Sequence, residues 1–202
     1  MKNSFFEIKN KLTTLGIPGK ETEFPKDILS DFFINAERLS ALLPNEYINF
    51  LFEFGTLDIH DKEIMIRIPK EFKKSCNEYS MGFVNFYGLQ NNNFNFNLLI
   101  ERYKYRIPKE LIPIGECPGG DQLCMGIKNK SYGKIYFWEH NKERADMEFE
   151  TETWEPVNLL FSSFKELILN LEEQPIEENK VFDESIIEKI VISEKFLSRL
   201  KK

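Results

Sequence analysis

The chain has little of what catalytic and membrane proteins commonly display. Of 202 residues only two are histidine, His60 and His140, and only three are cysteine, Cys76, Cys117 and Cys124. An odd number of scattered cysteines does not make a disulfide framework and fits a reducing compartment. Long apolar runs are missing as well. The first residues, "MKNSFFEIKNKLTTLG", are interrupted by Glu7, Lys9 and Lys11, so they lack the uninterrupted apolar region of a secretory signal. No stretch is long and apolar enough to span a bilayer, so a cytoplasmic protein with no membrane partner is expected. An excess of positive charge is missing too: 27 Lys and Arg stand against 33 Asp and Glu, a net charge of -6 with a pI near 5.2. Nucleic-acid backbones are gripped by clustered cations, so this balance argues against a nucleic-acid partner and suits a basic protein. Internal repeats and long low-complexity segments are absent.

What is present is material for a core. Apolar residues make up 42% of the chain and aromatics 14%, with 19 phenylalanines, which excludes a disordered chain and fits one globular domain. Ser4 and Glu7 stand at capping-box spacing before Phe5, Ile8, Leu12 and Leu15, which predicts a helix over 4–15 closed by Gly16. "GIPGKETEFPK" reads as a linker before a second helix in "DILSDFFINAERLSALL", and "PNEYINFLFEFG" predicts a third, with Tyr47, Ile48, Leu51 and Phe52 on one face and Gly55 at its end. The period then changes. "EIMIRIP", "GFVNFYGL", "FNFNLLI", "LIPIG", "QLCMGI" and "KIYFWEH" are expected as strands joined by turns. Helical spacing returns in "SSFKELILNL", with Ser163 and Glu166 as a second capping box. Helices, then strands, then a helix describe an α+β domain with mainly antiparallel pairing. Residues 1–174 are expected to form that single domain and 175–202 a C-terminal helical extension.

Few motifs carry chemistry. "IGECPGGDQLCMGI" is rich in glycine, but it leads into a strand instead of a helix and lacks the lysine of a phosphate-binding loop. Pro118 followed by Gly119 has the order of a turn with proline second and glycine third, so Pro118, Gly119, Gly120 and Asp121 are expected as a structural turn. Cys117 and Cys124 are too far apart for a zinc knuckle, and Cys124 is expected to be buried as a small apolar residue. Neither histidine is accompanied by a nucleophile signature. No catalytic residue, cofactor or metal is expected. "IERYKYRIPK" interleaves bases and aromatics, which strand alternation explains by placing Arg102, Lys104 and Arg106 on one face and Tyr103, Tyr105 and Ile107 on the other. The stretch "EHNKERADMEFETETWEP" gathers Glu143, Asp146, Glu148, Glu150, Glu152 and Glu155 between Trp138 and Trp154. Anionic side chains beside large aromatics suit a docking surface for a basic partner. A solvated hairpin edge whose charges discourage aggregation accounts for them equally well.

"LPNEYINFLFEFG", "FYGL", "IPKELIPIGECPGGDQLCMGI", "GKIYFWEH" and "LLFSSFKELILNL" resemble, in content and order, the SUKH superfamily of Smi and Knr type proteins over about residues 28–171. The sequence departs at "EFGTLD", where family members commonly carry an Asn-Gly-Gly type turn and this chain has only Gly55 between Phe54 and Thr56. The resemblance implies a curved, mostly antiparallel sheet packed against helices. It also implies a non-enzymatic interaction protein. Bacterial members are similar to immunity proteins that bind and neutralise a cognate protein toxin, often a nuclease; fungal relatives look like regulatory scaffolds of cell-wall synthesis. The residues expected to bind a partner, Trp138 through Glu155 as named above, rest on charge and aromatic character, and oligomeric state is left open.

Overall fold

The computed structural model describes residues 2–17, 19, 43–55, 57–58, 64–70, 80–89, 93–142 and 154–174. The expected second helix, within 27–43, and the C-terminal extension, 175–202, lie outside the described residues except for Leu43. The architecture is α+β. Helix α1 (Lys2–Thr14) and helix α2 (Asn45–Phe54) precede the strands. Strands β1 (Leu57–Asp58), β2 (Ile64–Arg67), β3 (Ser80–Gly82) and β4 (Asn85–Phe86) lead to helix α3 (Phe96–Tyr103). Then come β5 (Leu111–Glu116), β6 (Gln122–Gly126), β7 (Ile135–Trp138), β8 (Val157–Phe161), helix α4 (Phe164–Leu169) and β9 (Leu171–Glu173). The strands form a six-stranded sheet of order β1-β4-β5-β6-β7-β8 and a three-stranded sheet of order β3-β2-β9, and every described pair is antiparallel.

Helix α1 starts two residues before the expected capping box, so Ser4 lies within it and its hydroxyl donates to the Glu46 carboxylate on α2 at 2.9 Å instead of capping its own helix. Glu7 pairs with Lys165 of α4 at 2.8 Å. The three helices thereby meet through α1. The capping of α4 follows the sequence with a shift of one residue: the Ser163 hydroxyl accepts the Glu166 N–H at 3.1 Å, while the Glu166 carboxylate accepts the Ser162 N–H at 2.9 Å. Giving those N–H donors acceptors stabilises the first turn by roughly 1 kcal/mol. Phe164, Leu167 and Ile168 then point inward.

The alternation in "FNFNLLI" predicts a strand, and the structure has helix α3 there. Asn95 is its N-cap and accepts hydrogen bonds from the N–H groups of Asn97, at 3.0 Å, and Leu98, at 3.3 Å. With the helix started, Phe96, Leu99 and half-buried Tyr103 fall on one inward face at helical spacing. The expected strand alternation of Arg102 to Ile107 is therefore replaced by a helix end and a turn.

Along the strands, side chains alternate between two apolar clusters. Ile112, Ile114, Leu123, Met125, Ile135 and Leu160 face a large core shared with the helices. Its centre is aromatic: Phe50 meets Phe86 at 5.1 Å and Phe164 at 5.0 Å between ring centroids, and Tyr47 meets Phe164 at 4.9 Å, all edge to face. Leu111, Cys124, Tyr136 and Trp138 face the other side and join Ile107 in a smaller cluster. Strands β6 and β7 approach their connecting loop closely at Gly126, where a Cβ would lie 1.9 Å from the Ser131 carbonyl oxygen. Only glycine fits there. Among the described residues no helix is long and apolar enough to cross a membrane.

Candidate interaction surface

The glycine-rich stretch is the connection between β5 and β6. Pro118–Gly120 make a single 3-10 turn, with Gly119 at φ 84° and Gly120 at φ 89°, conformations that side chains with a Cβ rarely adopt. The Cys117 N–H donates to the Asp121 carbonyl at 2.9 Å, closing the turn. Gln122, fully buried, donates from Nε2 to the carbonyls of Gly120 at 2.9 Å and Asp121 at 3.0 Å and accepts from the Tyr87 hydroxyl. The turn is tied to the core through one amide side chain.

Its outer end has a second task. The Asp121 carboxylate accepts the backbone N–H of His140 at 2.8 Å, just past β7. That fixes the point from which the acidic connection to β8 departs. The Glu139 carboxylate reinforces it by accepting from Lys142 at 2.7 Å and from Asn158 of β8 at 2.6 Å, and the Glu139 N–H donates to the Pro156 carbonyl at 2.9 Å. At the far end the Val157 N–H donates to the Trp154 carbonyl at 3.1 Å, and Trp154 sits edge to face on Tyr136 with centroids 5.6 Å apart. Both ends of the acidic connection are thus pinned to β7 and β8.

Of the residues expected to meet a partner, Glu143, Asp146, Glu148, Glu150 and Glu152 lie outside the described residues. Glu155 is exposed, and Trp154 is 41% exposed. Trp138 is fully buried: it meets Tyr103 edge to face at 5.8 Å, and the Arg106 guanidinium lies 5.3 Å above its ring. An indole so placed acts as a packing residue of the sheet's second face. Its Nε1 is buried and finds no acceptor among the described residues. Sequence reasoning missed Arg106, which also lies 5.0 Å over Tyr103, because the helix end that places it there was taken for a strand.

The remaining polar groups are dispersed. Burial pushes the Cys124 thiol well above its ordinary range, so it stays protonated and packs as a small apolar residue in β6. Cys117 is also buried. Among the described residues no three of His, Cys, Asp and Glu gather in a cluster able to hold a metal ion. An open groove of about 670 Å³ runs between Phe5 of α1, the start of α2 at Asn45 and Glu46, and Tyr132 of the β6–β7 loop.

With this geometry in view, the chain matches the family described as SUKH_6, SMI1-KNR4 cell-wall, over residues 35–168. It is also 31% identical over 150 residues, 70% of its own length and 72% of the relative's, to the SPbeta prophage-derived uncharacterized protein YokK of Bacillus subtilis (strain 168). The matched range runs from before α2 into α4 and spans the Pro118–Asp121 turn, the buried β7 tryptophan and the aromatic centre of the core; the chain belongs to the SUKH family.

Proposed function

We propose that this protein is a non-enzymatic, immunity-type binding protein that neutralises a cognate protein toxin. Family membership carries the reading, since bacterial SUKH proteins are similar to immunity proteins of toxin systems. Physical chemistry supports it. A nuclease toxin is basic around its cleft, and an inhibitor with a net charge of -6 is drawn to that cleft and mimics the phosphates it displaces. Glu143, Asp146, Glu148, Glu150, Glu152 and Glu155 supply the charge and Trp154 the exposed anchor, while Trp138, buried in β7, stiffens the sheet. In this reading the protein works in the cytoplasm, needs no cofactor and has no nucleic-acid or membrane partner.

A second reading, a regulatory scaffold with no toxin partner, is favoured by the cell-wall description of the matching family. One experiment separates them. Tagged protein is used to capture its partner from the source cell, and the captured protein is expressed alone. A partner that stops growth unless this protein is co-expressed supports immunity; a reproducible partner that does no harm supports the scaffold.

A further inference from the structure

The loop between β6 and β7 is basic in an acidic chain. Residues 122–138 carry Lys128, Lys130 and Lys134 and no carboxylate, +3 in a chain whose total is -6. Lys128 and Lys130 are exposed and Lys134 is half-buried, and among the described residues none of the three is in an ion pair. Lysines on a solvated turn alone make only a soluble surface, so their surroundings decide whether the charge has a use.

The loop is held rigidly. The Ser131 N–H donates to the Lys128 carbonyl at 3.1 Å, the Gly133 N–H to the Gly126 carbonyl at 2.8 Å and the Lys134 N–H to the Ser131 carbonyl at 2.9 Å. Asn129 takes a left-handed conformation, φ 51°, and its side chain donates to the Glu110 carboxylate at 3.0 Å. The hydroxyl of buried Ser131 donates to the Lys128 carbonyl. This frame holds the Tyr132 ring 49% exposed. A loop ordered in advance loses little conformational entropy when a partner lands on it.

Tyr132 forms one wall of the open groove of about 670 Å³, whose other apolar walls are Phe5 of α1 and Pro44 and Ile48 of α2, all half-buried. The loop abuts the start of α2, since a Cβ on Gly133 would lie 3.6 Å from the Pro44 ring. α2 begins there without a side-chain cap, so its first turn adds the positive end of a helix dipole to the three lysines. The neighbouring carboxylates are engaged. Glu46 accepts from the Ser4 hydroxyl at 2.9 Å and from the Lys165 N–H at 3.3 Å, Glu7 pairs with Lys165, and Glu110 holds Asn129.

We propose that this groove is a docking site for a short acidic segment of a protein partner, whose large apolar side chains enter between Phe5, Ile48 and Tyr132 while its carboxylates meet Lys128, Lys130 and Lys134. Apolar walls around an exposed tyrosine supply the contact, and the lysines orient the segment and speed its arrival. Nucleic acid is the weaker occupant, because a phosphate backbone needs a longer basic track and the chain as a whole is negative. A second copy is weaker too, since each copy brings another -6 to the interface. The loop leads into β7 at Ile135, whereas Glu139 follows the other end of that strand at Trp138. The inference therefore does not rest on the toxin-binding reading.

The test uses the full chain and a synthetic peptide of about ten residues, roughly 33 Å when extended, in which leucine and phenylalanine alternate with glutamate. In an NMR titration it should shift the amide signals of Phe5, Asn45, Ile48 and Tyr132 and leave those of β8 unmoved. Lys128, Lys130 and Lys134 changed together to Gln should weaken binding about tenfold, and added salt should weaken it as well. Tyr132→Ala should weaken it about fivefold or more while the circular dichroism spectrum stays unchanged. If the lysine variant does not fold, the same peptide with lysine in place of glutamate decides the matter, because it should not bind. Equal binding of the two peptides, or shifts that miss the groove, overturns the proposal. A single-stranded oligonucleotide that gives the same shifts as strongly also overturns it, as do concentration-dependent dimers that give them without peptide. Each of those failures leaves the toxin-binding reading in place.

Discussion

One face of the six-stranded sheet is sealed by α1, α2 and α4 over a continuous core, whereas the opposite face holds five buried residues, Ile107, Leu111, Cys124, Tyr136 and Trp138, under the turn that follows α3. The same strands serve both. In β6, Leu123 and Met125 face the helices and Cys124 faces away; in β7, Ile135 and Phe137 face the helices and Tyr136 and Trp138 face away. The sealed face concentrates aromatic packing, and the open one carries Arg106 and Trp154. A fold that places its stability on one face can vary the other with little cost, which suits the binding role proposed above.

Substitutions on the two faces should therefore differ in kind. The largest effect on stability is expected from Phe50→Ala, which empties the centre of the aromatic core and should cost about 3–5 kcal/mol in a denaturant titration. Gly126→Ala forces a Cβ onto the Ser131 carbonyl and should cost about 1–3 kcal/mol by the same measurement, as other overpacked sites do. Trp154→Ala, on the open face, removes one edge-to-face contact from a part-exposed ring and should cost no more than about 1 kcal/mol while weakening partner binding measurably. Glu148, Glu150 and Glu152 changed together to Lys should slow association with a basic partner, an effect read as a lower on-rate that shrinks as salt is added. If Trp154→Ala destabilised as much as Phe50→Ala, the contrast between the faces would fail.

Alkaline pH probes both faces together. Burial raises the Cys124 thiol on the open face and the Tyr47 and Tyr87 hydroxyls above their ordinary values, with Glu116 adding to the rise at Tyr87. A value raised in the folded state means that folding holds the proton more tightly than the unfolded chain does. Stability should thus be full below the ordinary thiol value, about 8.5, and decline as pH rises through it toward the tyrosine range near 10. Cys124→Ala should flatten the first part of that decline in unfolding free energy measured against pH.

The sequence made the sealed face legible because its signals are local. Tyr47 and Leu51 fall on one face of α2 by their spacing and are buried there, though Phe50 and Phe54 are buried with them in place of the expected Ile48 and Phe52; Ser163 and Glu166 cap α4, and proline before glycine marks the β5–β6 turn. Helix α3 was not legible as a helix: Phe94 and Phe96 alternate with asparagines as a strand would, and the decisive signal was Asn95 as an N-cap with Phe96, Leu99 and Tyr103 following at intervals of three and four. Missing α3 hid Arg106 above Trp138. Alternation also could not tell whether Trp138 would be covered, since it assigns a residue to a face and says nothing of what lies on that face. The link from Asp121 to the His140 N–H joins residues 19 apart, beyond the reach of any local pattern.

The central claim is that the partner is met at the β7–β8 side of the molecule. It is tested most directly by hydrogen exchange on the full chain with and without the toxic protein captured from the source cell. The account predicts slowed exchange confined to residues 139–159 and unchanged exchange in α1, α2 and α4. Protection centred instead on the groove between Phe5, Asn45 and Tyr132, with 139–159 unaffected, would contradict it.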